Sequence, residues 1–329
     1  MRICYLTPSL NVHGGIRVII EHCNYLARKG HDVTLQSFGV IGQRYDWVKV
    51  DRRVNVIYRQ NIRDVFDVVV AGSPPLCIIL QLSQIRAKKF FFLQMAEHLF
   101  NPNDLAWQNA CRRAYSVDFP IIGISKFTEY IVRNEFQRGI KPMYYIGNGV
   151  SDDFQPLRKV EPGIVLVEGW EPYNAAKDIQ YQAPEVAGML KMQGYKIIAY
   201  SQFPLKTMKE IPDEYYCKPS QESLIGLYQR ATILIKSSVY DARSCAPVEA
   251  MACNCIPVRG IYQGDDDLIH GYNSLISEYG KPKDQYENAL KVLQDENLRH
   301  RLIQGCKEYR KQFLNWDTWG AILEDIFSK

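Results

Sequence analysis

The segment Tyr240-Asp241-Ala242-Arg243-Ser244-Cys245-Ala246-Pro247-Val248-Glu249 sets two carboxylates seven residues apart across a short turn. Asp241 closes a strand-to-loop stretch, Pro247 suits the first turn of a helix, and Glu249 falls just inside that turn. Carboxylates at the carboxyl end of a parallel strand accept hydrogen bonds from hydroxyls, whereas the amides of a helix start attract anions. A ligand that carries sugar hydroxyls and phosphates meets both needs. Taken without their neighbours, the same two acids would only complement a helix dipole and solvate a loop.

A second candidate is Asn11-Val12-His13-Gly14-Gly15, between a first strand and a first helix. The paired glycines let the backbone approach a ligand closely, and the helix start offers unpaired N–H groups. A dinucleotide fingerprint needs GxGxxG at this place, and only Gly14-Gly15 is present, so NAD and FAD are disfavoured while a phosphate is not. There is no HxH, HExxH or CxxC pattern, and no metal site is expected. Asp265-Asp266-Asp267 is the nearest approach to an acidic cation site and reads as a solvated loop.

These residues need elements to hold them. Arg2–Thr7 reads as a buried strand, Ile16 to Ala27 as an amphipathic helix stopped by Gly30, and His31–Leu35 as the next strand. Strand, glycine turn, helix, strand is a βαβ unit and implies a parallel sheet. Further strands are expected at Asp67–Ala71, Lys89–Leu93, Pro120–Ile124 and Met143–Ile146. A second alternating set follows: strands Ile164–Glu168, Lys196–Tyr200, Thr232–Lys236 and Cys255–Val258, and helices near 178–193, 222–230 and from Pro247. The stretch 284–327 reads as mostly helical. The polar, turn-rich segment from Ser151 to Gly163 separates an α/β domain over 1–150 from another over 151–329 that ends in helices.

With 47% apolar and 23% charged residues the 329-residue chain is a folded globular protein, not a disordered one. It contains neither an N-terminal apolar run of signal-peptide length nor an 18-residue apolar stretch. Nine cysteines without a paired spacing read as small core residues in a reducing, cytoplasmic compartment. Residues 1–150 hold 19 Lys and Arg against 11 Asp and Glu, and 151–329 hold 21 against 25. The basic first half suits an anionic partner such as a membrane surface, or is an ordinary solvated surface. Asp104 to Arg113 joins Trp107 to two arginines, as a surface-seeking helix or one packed on the sheet. No nucleic-acid motif accompanies the basic excess.

Residues 13–35 and the run from Asp241 through Glu249 into AMACNCIPV resemble the retaining GT-B glycosyltransferases of the family-4, or glycosyltransferase group 1, type. Ile124-Ser125-Lys126, Ile146 to Val150, Phe154 and Asn315-Trp316 follow the same pattern in order. The resemblance implies two doubly wound Rossmann-like domains facing a cleft, the first on the acceptor side and the second holding a nucleotide-diphosphate sugar, with no cofactor and no metal. It implies transfer of the sugar, with retention of configuration, to a glycan, lipid-linked or small-molecule acceptor, in the cytoplasm or peripherally at the inner membrane face. Asp241 would take donor-sugar hydroxyls and Glu249 the ribose. Gly14, Gly15 and the amides around Ser244, Cys245 and Ala246 would take the phosphates, with Lys177 aimed at the diphosphate. Trp170 stands where the family often has arginine, and Arg243 is the candidate for that charge. His13, Gln94, Glu97 and His98 fall on the acceptor side, His98 as a positioning residue or as a general base. Competing implications are an epimerase or phosphorylase on the same scaffold, or a sugar-nucleotide-binding protein with weakened chemistry.

Overall fold

The computed structural model describes residues 1–11, 14–40, 47–136, 139, 141–157, 163–171, 182–313 and 315–329. They form two compact units, Met1–Gly149 with Trp316–Lys329, and Val150–Asn315.

The first unit runs β1 (Arg2–Thr7), α1 (Gly14–Arg28), β2 (Asp32–Ser37), β3 (Asn55–Tyr58), β4 (Val68–Ala71), α2 (Pro74–Leu82), β5 (Lys88–Leu93), α3 (Leu105–Tyr115), β6 (Ile121–Gly123), α4 (Lys126–Tyr130) and β7 (Met143–Tyr145). The strands pair in parallel in the order β3-β2-β1-β4-β5-β6-β7. Apolar residues occupy nearly every position of β1, β4 and β5, because a parallel sheet is covered on both faces. Helix α1 begins two residues before the first apolar position, at Gly14, so Gly14 and Gly15 open its first turn. Ser125 caps α4, its hydroxyl accepting the Thr128 N–H at 3.1 Å. Helix α3 packs on α2 through Cys111, Ala114 and Tyr115, leaving Leu105, Arg112 and Arg113 exposed.

The second unit runs β8 (Ile164–Glu168), α5 (Gln182–Met192), β9 (Lys196–Ser201), β10 (Glu214–Cys217), α6 (Gln221–Arg230), β11 (Ile233–Tyr240), α7 (Cys245–Ala252), β12 (Ile256–Gln263), β13 (Leu275–Glu278), α8 (Pro282–Gln294) and α9 (Glu296–Phe313). Its parallel order is β10-β9-β8-β11-β12-β13. Alternation along β8 assigns the two faces: Val165 and Val167 pack with Ala183, Leu190 and Val292 of α5 and α8, while Leu166 packs with Leu227, Val248 and Cys306 of α6, α7 and α9. In both sheets the order reverses once, between β1 and β4 and between β8 and β11. Open α/β sheets take ligands outside the carboxyl ends of the strands at such a point.

Helix α10 (Trp316–Ser328), read above with the second domain, instead belongs to the first unit. Its buried stripe Trp319, Gly320, Leu323, Ile326 and Phe327 lies on aromatic rings there, with Phe327 at 5.1 Å from Phe90 and Trp319 edge-on to Tyr145 at 5.6 Å. His31 Nε2 meets Glu324 at 2.9 Å. Two glycines permit this close packing. A Cβ on Gly149 would fall 2.5 Å from the Trp316 nitrogen, and one on Gly320 would fall 2.4 Å from the Tyr25 ring. Gly320→Val is therefore expected to destabilise the first unit by about 1–3 kcal/mol. Hydrogen exchange should quicken in β1 and β5 and stay unchanged in β8 and β11. Equal acceleration in both sheets would refute this assignment of α10.

Candidate functional site

The strand that carries Asp241 runs four residues beyond Lys236, to Tyr240, so the carboxylate stands at the carboxyl end of β11, beside the reversal point of the second sheet. Helix α7 starts at Cys245, not at Pro247. Pro247 is still harmless there, because its missing N–H is one of the first-turn donors that no helix can pair. Glu249 is then the fifth residue of the helix, and it and Asp241 are each 5% exposed. Two carboxylates so far out of water need partners.

Glu249 has a neutral one: the Tyr228 hydroxyl of α6 donates to its Oε2 at 3.3 Å, and Tyr228 is tied to the Tyr200 hydroxyl of β9 at 2.7 Å. Burial raises both phenols well above their ordinary range, so they remain protonated donors. Asp241 has charged partners. Lys236 Nζ is 3.8 Å and Arg259 Nη2 3.5 Å from its Oδ2, and Lys236 also bonds Glu168 at the end of β8.

The loop after β12 closes the arrangement. Gly264 adopts φ +103°, and any Cβ there would overlap the Asp241 carbonyl oxygen at 1.3 Å, so only glycine fits. Past it, the acidic run expected to be solvated is largely buried, with Asp265 at 5% and Asp267 at 2% exposure. Asp265 Oδ2 lies 2.6 Å from Arg259 Nη2, and its Oδ1 accepts the Ser244 N–H at 2.8 Å. Asp267 pairs with Arg243 and accepts the Tyr309 hydroxyl of α9 at 2.6 Å. Desolvation raises the Asp267 carboxyl to about 6, opposed by Arg243. The acids are not solvated because each one offsets the charge of a buried arginine.

Two readings change with this. Arg243, the candidate for the charge that Trp170 lacks, is buried and held by Asp267. The Ser244 amide, expected to meet phosphate, is held by Asp265. Cys245 is half-buried and Ala246 buried, both at the start of α7. Trp170 is fully buried, its indole N–H donating to the Thr207 carbonyl at 3.0 Å, and so acts as core. Lys177 and His13 lie outside the described residues.

In the first unit Gly15 and Gln94, assigned separately above, meet: a Cβ on Gly15 would come within 3.0 Å of the Gln94 Oε1. Glu97 and His98 form one helical turn after β5. The His98 ring is edge-on to Phe136 at 4.9 Å and to Tyr115 at 5.9 Å, with Nε2 3.4 Å from Glu135. Desolvation, and then Arg112, lower the imidazole to about 4, so it is neutral at pH 7. Desolvation lifts the Glu97 carboxyl to about 8.

Sequence reasoning found the two acids but not Lys236, Arg259, Asp265, Tyr228 or Tyr309. Arg259 had left a trace, a lone charge directly after the apolar run Cys255–Val258. Among the described residues no three His, Cys, Asp or Glu side chains gather as a metal would require. No helix among them is long and apolar enough to cross a membrane.

Glu97 makes a pH prediction. Its raised folded value means that stability is greatest below the unfolded value near 4.5 and falls as pH rises towards 8. His98 acts oppositely, but only between about 4 and 6.5. Between pH 6.5 and 8.5 the wild type should therefore lose denaturant midpoint while Glu97→Gln stays level. Parallel curves for the two proteins would contradict a desolvated Glu97 carboxyl.

Residues 209–309, which contain Asp241, Glu249, Arg259 and Asp267, match the family described as glycosyl transferases group 1. The uncharacterized glycosyltransferases MJ1178 and MJ1069 of Methanocaldococcus jannaschii are 29% and 28% identical over 102 and 110 residues, 30% and 33% of this chain. The aligned segment spans 28% of each relative's length. Among solved structures, sucrose-phosphate synthase from Thermosynechococcus elongatus superposes with a TM-score of 0.83 at 12% identity, covering 99% of this chain and 98% of its own. Anabaena HepE in complex with UDP and glucose gives 0.76 at 12% identity, covering both chains fully (100%). WaaG, a glycosyltransferase involved in lipopolysaccharide biosynthesis, gives 0.74 at 11% identity and 99% of each chain. Residues 209–309 thus match the family model for glycosyl transferases group 1, and the chain has the GT-B fold of the compared structures.

Proposed function

We propose that the chain transfers a sugar from a nucleotide-diphosphate donor to a hydroxyl of a glycan or lipid-linked acceptor, with retention of anomeric configuration and without a metal. The observation that carries this reading is the pair Asp241 and Glu249. Both are buried carboxylates, at the end of β11 and in α7, inside the matched family segment and beside the reversal point of their sheet.

In this reading Glu249, held by a neutral tyrosine, accepts from the ribose hydroxyls, and Asp241 accepts from hydroxyls of the donor sugar. Transfer breaks the bond between the anomeric carbon and the phosphate oxygen and forms one to the acceptor oxygen. The acceptor proton passes to the departing phosphate oxygen, so no protein base is required, and a neutral His98 positions the acceptor. The charge gathering on the diphosphate is the main electrostatic demand. With Arg243 engaged by Asp267, that demand falls on Lys177 and on amides at the start of α7. The basic first unit, with exposed Leu105, Arg112 and Arg113 on α3, suits an acceptor presented at an anionic membrane face. The reaction would then be cytoplasmic and peripheral to the inner face.

A panel of nucleotide sugars, read by thermal stabilisation and by nucleoside-diphosphate release, tests this. One donor should raise the midpoint and be consumed, with turnover indifferent to a chelator. Glu249→Ala should weaken binding of the nucleoside diphosphate about 10- to 100-fold, the cost of about 1.5–3 kcal/mol for a charged hydrogen bond. Asp241→Ala should leave that binding intact and remove the extra affinity contributed by the sugar. Absence of stabilisation by every nucleotide sugar would end the reading.

A further inference from the structure

We infer that Arg259, braced by Asp265, is the positioning residue of Asp241, fixing which way its carboxylate points. The inference rests on the reading of Asp241 as the donor-sugar ligand and adds a residue to it.

Strands β8, β11 and β12 are neighbours, with Val167 opposite Ile235 and Lys236 opposite Arg259. One step on, Glu168, Lys236 and Arg259 stand in a row across three strands where β8 ends. Two cations side by side in a buried row repel each other unless anions lie between and above them. Glu168 serves Lys236 from one side, and Asp265 serves Arg259 from the other. Asp241 is the anion that both cations share. Lys236 and Arg259 converge on its Oδ2, at 3.8 and 3.5 Å. Two ion pairs that converge on one oxygen favour a single orientation of the carboxylate, so the direction of its other oxygen is biased before a ligand arrives.

Arg259 carries a guanidinium and is 0% exposed. Burying that charge costs several kcal/mol before pairing. Holding a strand in a sheet does not require it, and the apolar neighbours of Arg259 in β12, Ile256 and Val258, do so without charge. Asp265 extends the brace. Its second oxygen takes the Ser244 N–H at the mouth of α7, so the guanidinium that aims Asp241 is linked through one side chain to the helix that carries Glu249. The separation of the two acids is thereby fixed by contacts as well as by sequence.

The test uses the full chain and calorimetry with two probes, UDP and UDP-glucose. For the wild type, the ratio of the two dissociation constants measures what the sugar adds. In Arg259→Met, which keeps volume and removes charge, the ratio should collapse about 10-fold while the UDP constant stays within twofold. Asp241→Asn should do the same, and the double variant should lose less than a further twofold. Arg259→Lys, which restores charge without the fork, should recover part of the ratio. Equal weakening of UDP and UDP-glucose in Arg259→Met, or additive losses in the double variant, would overturn the inference.

If Arg259→Met does not fold, Arg259→Met combined with Asp265→Asn removes the charges as a pair and is read in the same way. If the wild type takes neither probe, the donor carries another base or sugar or the functional reading fails, which the nucleotide-sugar panel decides, and the brace is read without ligand by carbon-13 titration of the Asp241 carboxyl. Its midpoint should rise when Arg259 becomes Met and return towards wild type with Lys. An unmoved midpoint would overturn the inference by itself.

Discussion

Charge buried without water must be paired within the protein, and that constraint organises the carboxyl edge of the second sheet. Glu168, Lys236, Asp241, Arg259 and Asp265 form one continuous set of contacts, and Arg243, Asp267 and Tyr309 form another beside it. Removing one partner from such a set strands the next charge, at a cost of about 3–5 kcal/mol, whereas an intact set is close to neutral in stability. The network therefore contributes little to the free energy of folding and much to the uniqueness of the loop geometry. Gly264 is part of that bargain. Only a residue without Cβ lets the β12 loop pass the Asp241 carbonyl closely enough for Asp265 to reach both Arg259 and Ser244.

The two acids are held by different physics, and the difference suits different work. Glu249 accepts from a tyrosine hydroxyl, a neutral partner. Asp241 is paired with two cations that meet it at one oxygen. A group that only has to bind tolerates the first arrangement. One that must face a reacting sugar ring benefits from the second, because preorganised charge does not have to reorient as the transition state forms.

Much of both sheets was legible. Central strands such as β1, β4, β8 and β11 are apolar runs bounded by turns, and helix stops such as Gly30 follow from backbone sterics. The strands that escaped, β3, β10 and β13, are edge or near-edge strands of four residues. Two of them, Asn55–Tyr58 and Glu214–Cys217, are half-buried along their length, so no apolar run marks them. Helix α10 was legible as a helix but not as a member of the first unit, since its amphipathic stripe does not say which sheet it covers. Asp241 and Glu249 were legible because seven intervening residues keep them in one local pattern. The rest of the site was not. Asp265 and Asp267 look like a solvated acidic run until Arg259 and Arg243 are known to be adjacent, and Arg243 lies 24 residues from Asp267 in the chain.

The use of aspartate and not glutamate at position 241 makes sense within this network. A shorter side chain keeps its carboxylate near the strand end, within reach of Lys236 on its own strand and Arg259 on the next. One more methylene would carry the oxygens past that row and add a rotatable bond to immobilise. The shorter acid is then no weakening of the site. It belongs with a buried arginine on β12, and the two residues form one unit, because either alone would leave an uncompensated charge at the end of the sheet.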